Sequence, residues 1–394
     1  CLPIRTAGAL LVTAPASLGK DRGICVRLAP RESAQKWQLQ DAARKLLPTK
    51  KGLQRCCTTR QKGGGGVKIW RYAHGVGFGG LMQCGSVWIC PVCAGKVAKG
   101  RAKELQKGID YALATGNGCM MVTLTFSHGR ADILADTLDG LSLALRKLKG
   151  GRDYKTLMRD FGIIGEVRAL EVTHGNANGW HPHTHSITFS RTKLTPQQRF
   201  EFECRLFVLW RAACLKAGVG APEFGPGVHV RTAKDAADYV AKWGFATEVT
   251  HSHIKTAKGG GRTPWQLLDA SLAGDKRSGW LFREYAEAFH GKRQLYYSPG
   301  LRQKLGLLDE LTDQQLLELE PDERVLVCEI DNDAWSMVLR YRMRAALLAA
   351  ADAGAAAVND FLEGLRERTR AALGSDGRSA RRVWIDAVNA GWSS

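Results

Sequence analysis

The stretch LEVTHGNANGWHPHTHSITF, residues 170–189, restricts the fold more than any other part of the chain. Alternating apolar and polar residues run on either side of GNANG, and a linker of Asn and Gly between two such runs is hairpin chemistry. Two antiparallel strands are therefore predicted. Side chains of a strand point alternately to its two faces. His181, His183 and His185 accordingly share a face with Ile187 and Phe189, while Thr184, Ser186 and Thr188 share the other. On the incoming strand Glu171 has the parity of Val167 and Ala169, so closing the hairpin can bring it alongside the histidines, in a register the sequence leaves open. Three of the chain's ten histidines on one strand face, with a carboxylate in reach, point to a divalent metal. Two imidazoles and a carboxylate leave coordination positions open, as a catalytic ion requires, and these donors accept Mg2+, Mn2+ or Zn2+. A lone histidine would read as a surface or core residue; three at period two with an acid nearby read as ligands.

The surrounding pattern supplies the rest of a sheet. CMMVTLTFS (119–127) is a buried strand, residues 132–149 a helix, FGIIGEVRALEVTHG and HPHTHSITFS the two hairpin strands. Residues 195–217 form a long helix opened by a threonine cap and a proline. GVHVRTA is a short strand and KDAADYVAKW a helix. Strand, helix, strand, strand, helix, strand is an α+β fold: an antiparallel sheet of split βαβ type with helices packed on it. Around it, residues 1–66 read as a poorly defined leader ending in four glycines, 67–116 as a cysteine cluster followed by a basic amphipathic helix, and 117–305 as the sheet domain. The Ala- and Leu-rich residues 306–394 read as a separate helical appendage.

A nucleophile for a metal-bound substrate is offered by KDAADYVAKWG. On a helix Asp235, Tyr239, Lys242 and Trp243 share one stripe. A phenol ionises near pH 10 in water (about 10), so a cation such as Lys242 favours the phenolate or steadies transition-state oxygens. Asp235 is placed to orient the phenol or to activate water. By itself such a stripe is ordinary amphipathic surface; its weight comes from the histidine strand.

Charge narrows the partner. Lys and Arg number 57 against 38 Asp and Glu, a formal +19 spread along the chain, which favours a polyanion, nucleic acid above all. No apolar run approaches the roughly 18–20 residues that span a bilayer, and residues 7–15 read as neither anchor nor signal peptide. Lys255, Lys258 and Arg262, among three glycines in HSHIKTAKGGGRTPW, are candidates for tracking a DNA strand, with Trp243 and Trp265 as candidate stacking surfaces. Eleven unevenly spaced cysteines in a large chain fit a reducing cytoplasm better than a disulfide framework. Cys84, Cys90 and Cys93 in CGSVWICPVC are shaped like a metal knuckle, and Cys56 or Cys57 completes a candidate four-thiolate set for structural Zn2+. Cys25, Cys119, Cys204, Cys214 and Cys328 read as small buried apolar residues.

Taken in order, MVTLTFS, RALEVTHGNANGWHPHTHSITF and ADYVAKW resemble the three motifs of plasmid rolling-circle replication initiators of the HUH endonuclease superfamily. KGGGRTPWQLLDA and YAEAFHGKRQLYYSPGLR resemble the stretches that follow them, so the resemblance runs from about residue 84 to 305. The bulky middle position between the two superfamily histidines is Thr184 here. The resemblance implies a metal-dependent (Mg2+ or Mn2+) single-strand nick at the plasmid origin, a 5′-phosphotyrosyl intermediate and a free 3′-OH for a host polymerase, with a host helicase as further partner. By motif it makes His183 and His185 ligands, with Glu171, and Tyr239 the nucleophile. In some relatives an acid one helical turn before the tyrosine activates water for termination, the offset Asp235 occupies. The alternatives are a transposase of the same chemistry, a relaxase, disfavoured because its tyrosine precedes the histidines, and a non-catalytic zinc-stabilised DNA-binding protein.

Overall fold

The computed structural model describes residues 30–63, 65–73, 75–236, 261–318 and 323–374. Helix α1 (Pro30–Leu46) and the single turn α2 (Lys51–Arg55) lead into a hairpin of β1 (Val67–Tyr72) and β2 (Gly75–Gly79). Helix α3 (Pro91–Ala114) starts on a proline, whose fixed φ suits a first helical turn. It buries Val97 in one apolar core and Leu105, Ile109 and Ala112 in another, so a single helix joins two halves of the molecule.

The central sheet is built from β3 (Gly118–Leu124), β4 (Ile163–Gly175), β5 (Gly179–Ser190), β6 (Val228–Arg231) and β7 (Leu295–Tyr297), in the order β6-β3-β5-β4-β7 with every neighbouring pair antiparallel. Because β3 and β4 both flank β5, they run the same way. The crossover between them is α4 (Leu134–Gly150) and α5 (Arg152–Asp160). Helix α4 buries Leu134, Leu138, Leu141, Leu145 and Leu148, a three-and-four spacing that puts one apolar stripe on the sheet. Helix α6 (Pro196–Ala217) opens on a capping box between Thr195 and Gln198 and closes on left-handed Gly218. It covers the same face with Phe202, Leu206 and Trp210, each stabilising by about 1.5–3 kcal/mol through burial. The opposite face carries Met121, Val167, Ala169, Ile187 and Phe189 under α3. The histidines lie at the end of that face.

The terminal regions differ from the sequence expectation. The chain continues through α7 (Pro264–Leu272), α8 (Lys276–Ala288), α9 (Leu301–Lys304) and α10 (Asp313–Glu318) to β8 (Arg324–Ile330), α11 (Asn332–Arg340), α12 (Arg344–Ala353) and α13 (Ala355–Gly374). Strand β8 pairs with β1 in a second sheet, β2-β1-β8. Trp37, Leu39 and Leu53 from the supposed leader share one core with Trp335, Leu347 and Leu362 from the supposed appendage. The expectation of a loose leader over 1–66 and a separate, purely helical region over 306–394 is therefore corrected: their described residues are two sides of one packed unit. No helix among the described residues is long and apolar enough to cross a membrane.

Candidate active site

Register builds the site. Glu171 on β4 stands directly opposite His183 on β5, and His185 stands opposite Ala169 one same-face position further along. Glu171 Oε2 lies 3.7 Å from His183 Nε2 and 3.6 Å from His185 Nε2, and the three donor atoms fall within 4.8 Å of one another. The Glu171 side chain keeps 30% of its surface exposed, so the cluster opens to solvent at the carboxylate.

Each imidazole is oriented by the bond its other nitrogen makes. His183 Nδ1 meets the His181 carbonyl at 3.0 Å, and His185 Nδ1 meets Thr123 Oγ1 on β3 at 2.9 Å. A carbonyl only accepts, so His183 carries a hydrogen on Nδ1 and, when neutral, directs the Nε2 lone pair at the centre. The Thr123 hydroxyl accepts as readily as it donates, which allows His185 the same tautomer. Burial holds His185 down at about 4, against the pull of Glu171 and with the help of His183 and Arg231. His183 is buried as well, yet hydrogen bonding and charge from Glu171 outweigh burial and move its value up. Two Nε2 atoms and one carboxylate oxygen, with both Nδ1 atoms engaged elsewhere, fit a divalent ion.

His181 shares the strand face and does not join this set. Its Nδ1 lies 2.5 Å from His128 Nε2, and His128 Nδ1 meets the Asn178 carbonyl at 3.0 Å. The ring stacks beside His183 at 5.1 Å between centroids, and burial with three neighbouring imidazoles pushes its value down to about 3. Sequence reasoning missed both His128 and Thr123. The signal at Thr123 was present: a hydroxyl with the inward parity of Met121 in an apolar strand.

Tyr239, Lys242, Trp243, Lys255 and Lys258 lie outside the described residues. Residues 233–236 are helical, and Ala236 is fully buried in the core beneath the histidine-bearing face, with Val167, Ala169 and Ile187. Asp235 Oδ2 accepts from Thr232 N at 3.0 Å and Thr232 Oγ1 at 2.7 Å, the reciprocal pairing that caps a helix start. These bonds from Thr232 hold its carboxyl below the ordinary range.

Two expected DNA contacts have other employment. The Arg262 guanidinium donates to Ser278 Oγ at 2.9 Å and pairs with Asp275, while its backbone bridges to His174 at the end of β4. Trp265 is corrected from a stacking candidate to a core residue: the Thr263 capping box turns it inward against Phe282. Cys56, Cys84, Cys90 and Cys93 form a second convergent set, and Cys57 is outside it.

A family model described as replication protein matches residues 82–346, about two thirds of the chain. This chain belongs to the replication protein family. The replication protein is also 30% identical over 369 residues to "Protein rep" of Streptomyces lividans, a match covering 76% of each chain. It is 32% identical over 147 residues to a "Neomycin resistance protein" of Streptomyces cyanogenus, covering 31% of this chain and 34% of that one. No solved structure matches it. The family match takes in the histidine hairpin, the tyrosine segment and Cys84, Cys90 and Cys93, and it continues through β8 into α12.

Proposed function

We propose that this replication protein initiates rolling-circle replication of a plasmid by nicking one strand of its origin through a tyrosine ester. The observation that carries the reading is the meeting of Glu171 Oε2 with the Nε2 atoms of His183 and His185 on the solvent-open end of an antiparallel sheet. A divalent ion held by these three, Mg2+ or Mn2+, would polarise the scissile phosphodiester and screen its charge. Support for the tyrosine comes from Ala236, seated three residues before it against the histidine-bearing face.

In the reaction the Tyr239 oxygen bonds to phosphorus as the bond from phosphorus to the 3′ oxygen breaks. The phenol loses its proton and the departing oxygen gains one, leaving a 5′-phosphotyrosyl bond and a free 3′-OH for a polymerase. Lys242 stabilises the phenolate by charge. Glu171 keeps the two imidazoles aligned, and Thr123 and the His181 carbonyl hold their ring planes. Lys255 and Lys258 follow the strand's phosphates. Asp235 begins in the capping pair with Thr232, and its turn as a base in termination requires Thr232 to release it.

Single-stranded origin DNA incubated with the protein and Mn2+, then resolved on a denaturing gel, tests the reading. A protein-linked DNA band is expected, lost in Tyr239→Phe and in His183→Ala. A covalent band that persists in Tyr239→Phe would remove that residue from its role, and binding without any cleavage would leave a DNA-binding module in place of the nickase.

A further inference from the structure

Four thiols outside the histidine set meet inside the apolar core shared by the two ends of the chain. Cys56 follows α2, Cys84 sits in the loop after β2, Cys90 precedes the first turn of α3 and Cys93 lies within it. The sulfurs of Cys56 and Cys93 are 3.5 Å apart, those of Cys56 and Cys90 3.6 Å, and those of Cys84 and Cys93 3.7 Å. A disulfide needs about 2.05 Å. Four sulfurs at the vertices of a tetrahedron, each about 2.3 Å from a central Zn2+, are about 3.8 Å apart. The spacing is thus that of thiolates around one ion. Cys57 adopts φ +52°, a left-handed backbone, and it stays out of the set although its sulfur is 3.8 Å from that of Cys56.

The surroundings carry the compensating charge. Gln40, fully buried, donates from Nε2 to Cys90 Sγ at 3.3 Å, and the Cys84 N–H donates to Cys56 Sγ at 3.4 Å. The Gln40 amide cannot turn round, because its Oε1 accepts from Arg344 at 2.6 Å and from Arg44 at 3.0 Å. Among the described residues Asp41 is the carboxylate paired with both guanidiniums, at 2.5 Å and 2.7 Å. Buried Arg344, 2% exposed, and part-buried Arg44 share this one carboxylate, which leaves positive charge beside the thiols. A tetrathiolate around a divalent ion has net charge −2 and supplies the missing counter-charge.

We propose that Cys56, Cys84, Cys90 and Cys93 hold one structural Zn2+, and that Gln40, oriented by Arg344 and Arg44, is a positioning residue that ties this centre to the C-terminal helices. The ion then joins three segments, the end of α2, the loop after β2 and the root of α3, and Gln40 links it through Arg344 to the start of α12. Helix α3 continues from there to the underside of the catalytic sheet. This inference is independent of the nicking reading.

Metal analysis of the purified 394-residue chain is expected to find about one Zn2+ per chain, retained in Cys57→Ser and in the His183→Ala/His185→Ala pair and lost in Cys93→Ser. Cobalt substituted for zinc should give the visible absorption of a tetrahedral thiolate complex, which reports the ligand set without requiring the cysteine variant to fold. Gln40→Leu should keep its zinc but surrender it to a chromophoric chelator about tenfold faster or more. A chain with intact histidines and no zinc, stoichiometric iron in its place, or loss of the metal in Cys57→Ser would each overturn the assignment. Unchanged release in Gln40→Leu would overturn its positioning role.

Discussion

Thr123 decides where His185 points. Its hydroxyl is the Nδ1 partner on a neighbouring strand, held opposite the histidine by backbone pairing. Thr123→Val keeps the shape and β-branching and removes that partner. Mn2+ affinity, read by calorimetry or electron paramagnetic resonance, is expected to fall about 10–100-fold with the far-ultraviolet spectrum unchanged; unaltered affinity would mean the ring is held by packing alone. His183 and His185 also differ in what metal binding displaces. With a value of about 4, His185 is already neutral at pH 7. His183, raised by Glu171, holds its proton above the ordinary imidazole range and must release it to coordinate. Affinity should therefore climb as pH rises toward the His183 value and level off beyond it. Calorimetry in buffers of different ionisation heat should count about one proton released per ion near pH 6 and none well above the plateau.

At the scale of elements, the hairpin places the donors. Gly179 closes the turn at φ +68°, and a Cβ there would come within 3.1 Å of the Arg130 backbone. Gly179→Ala combines left-handed strain of about 1–2 kcal/mol with that contact. A lower thermal midpoint and a shifted histidine proton spectrum are expected, because the turn sets the pairing of Glu171 with His183. The strand alternation that predicts this hairpin also predicts which faces the side chains take, since period two is local to one chain segment. The pairing of Glu171 with His183 rather than His181 was not legible, because register is a relation between two segments. The helix over 195–217 was readable from its threonine cap and proline start for the same reason: each signal acts within a turn of the backbone it controls. Strands β1, β2 and β8 escaped notice. Glycines dilute the pattern of β2, and β1 finds its β8 partner more than 250 residues away.

Across the whole molecule, one core draws on both ends of the chain. Val67 and Ile69 are fully buried on the first two-thirds of β1, whose other edge pairs with β8, and Trp335 donates to the Thr58 carbonyl at 2.9 Å. Ending the chain at residue 323 removes β8 and the helices that cover this core. The shortened protein is expected to lose soluble yield and zinc together; a soluble, zinc-loaded product would show the C-terminal unit to be dispensable. What the amino-acid sequence determined by itself is what short-range physics dictates: the alternation that puts three histidines on one face, the capped helices, the basic charge, and the motif order of a replication protein. Only the tertiary structure decided that His181 turns to His128, that Cys56 and not Cys57 completes the thiol set, that Trp265 points inward, and that the described residues of leader and appendage form one unit. Those outcomes depend on which distant surfaces bury each other. Burial is non-directional, so the same apolar residues are compatible with many partners until the whole chain has packed.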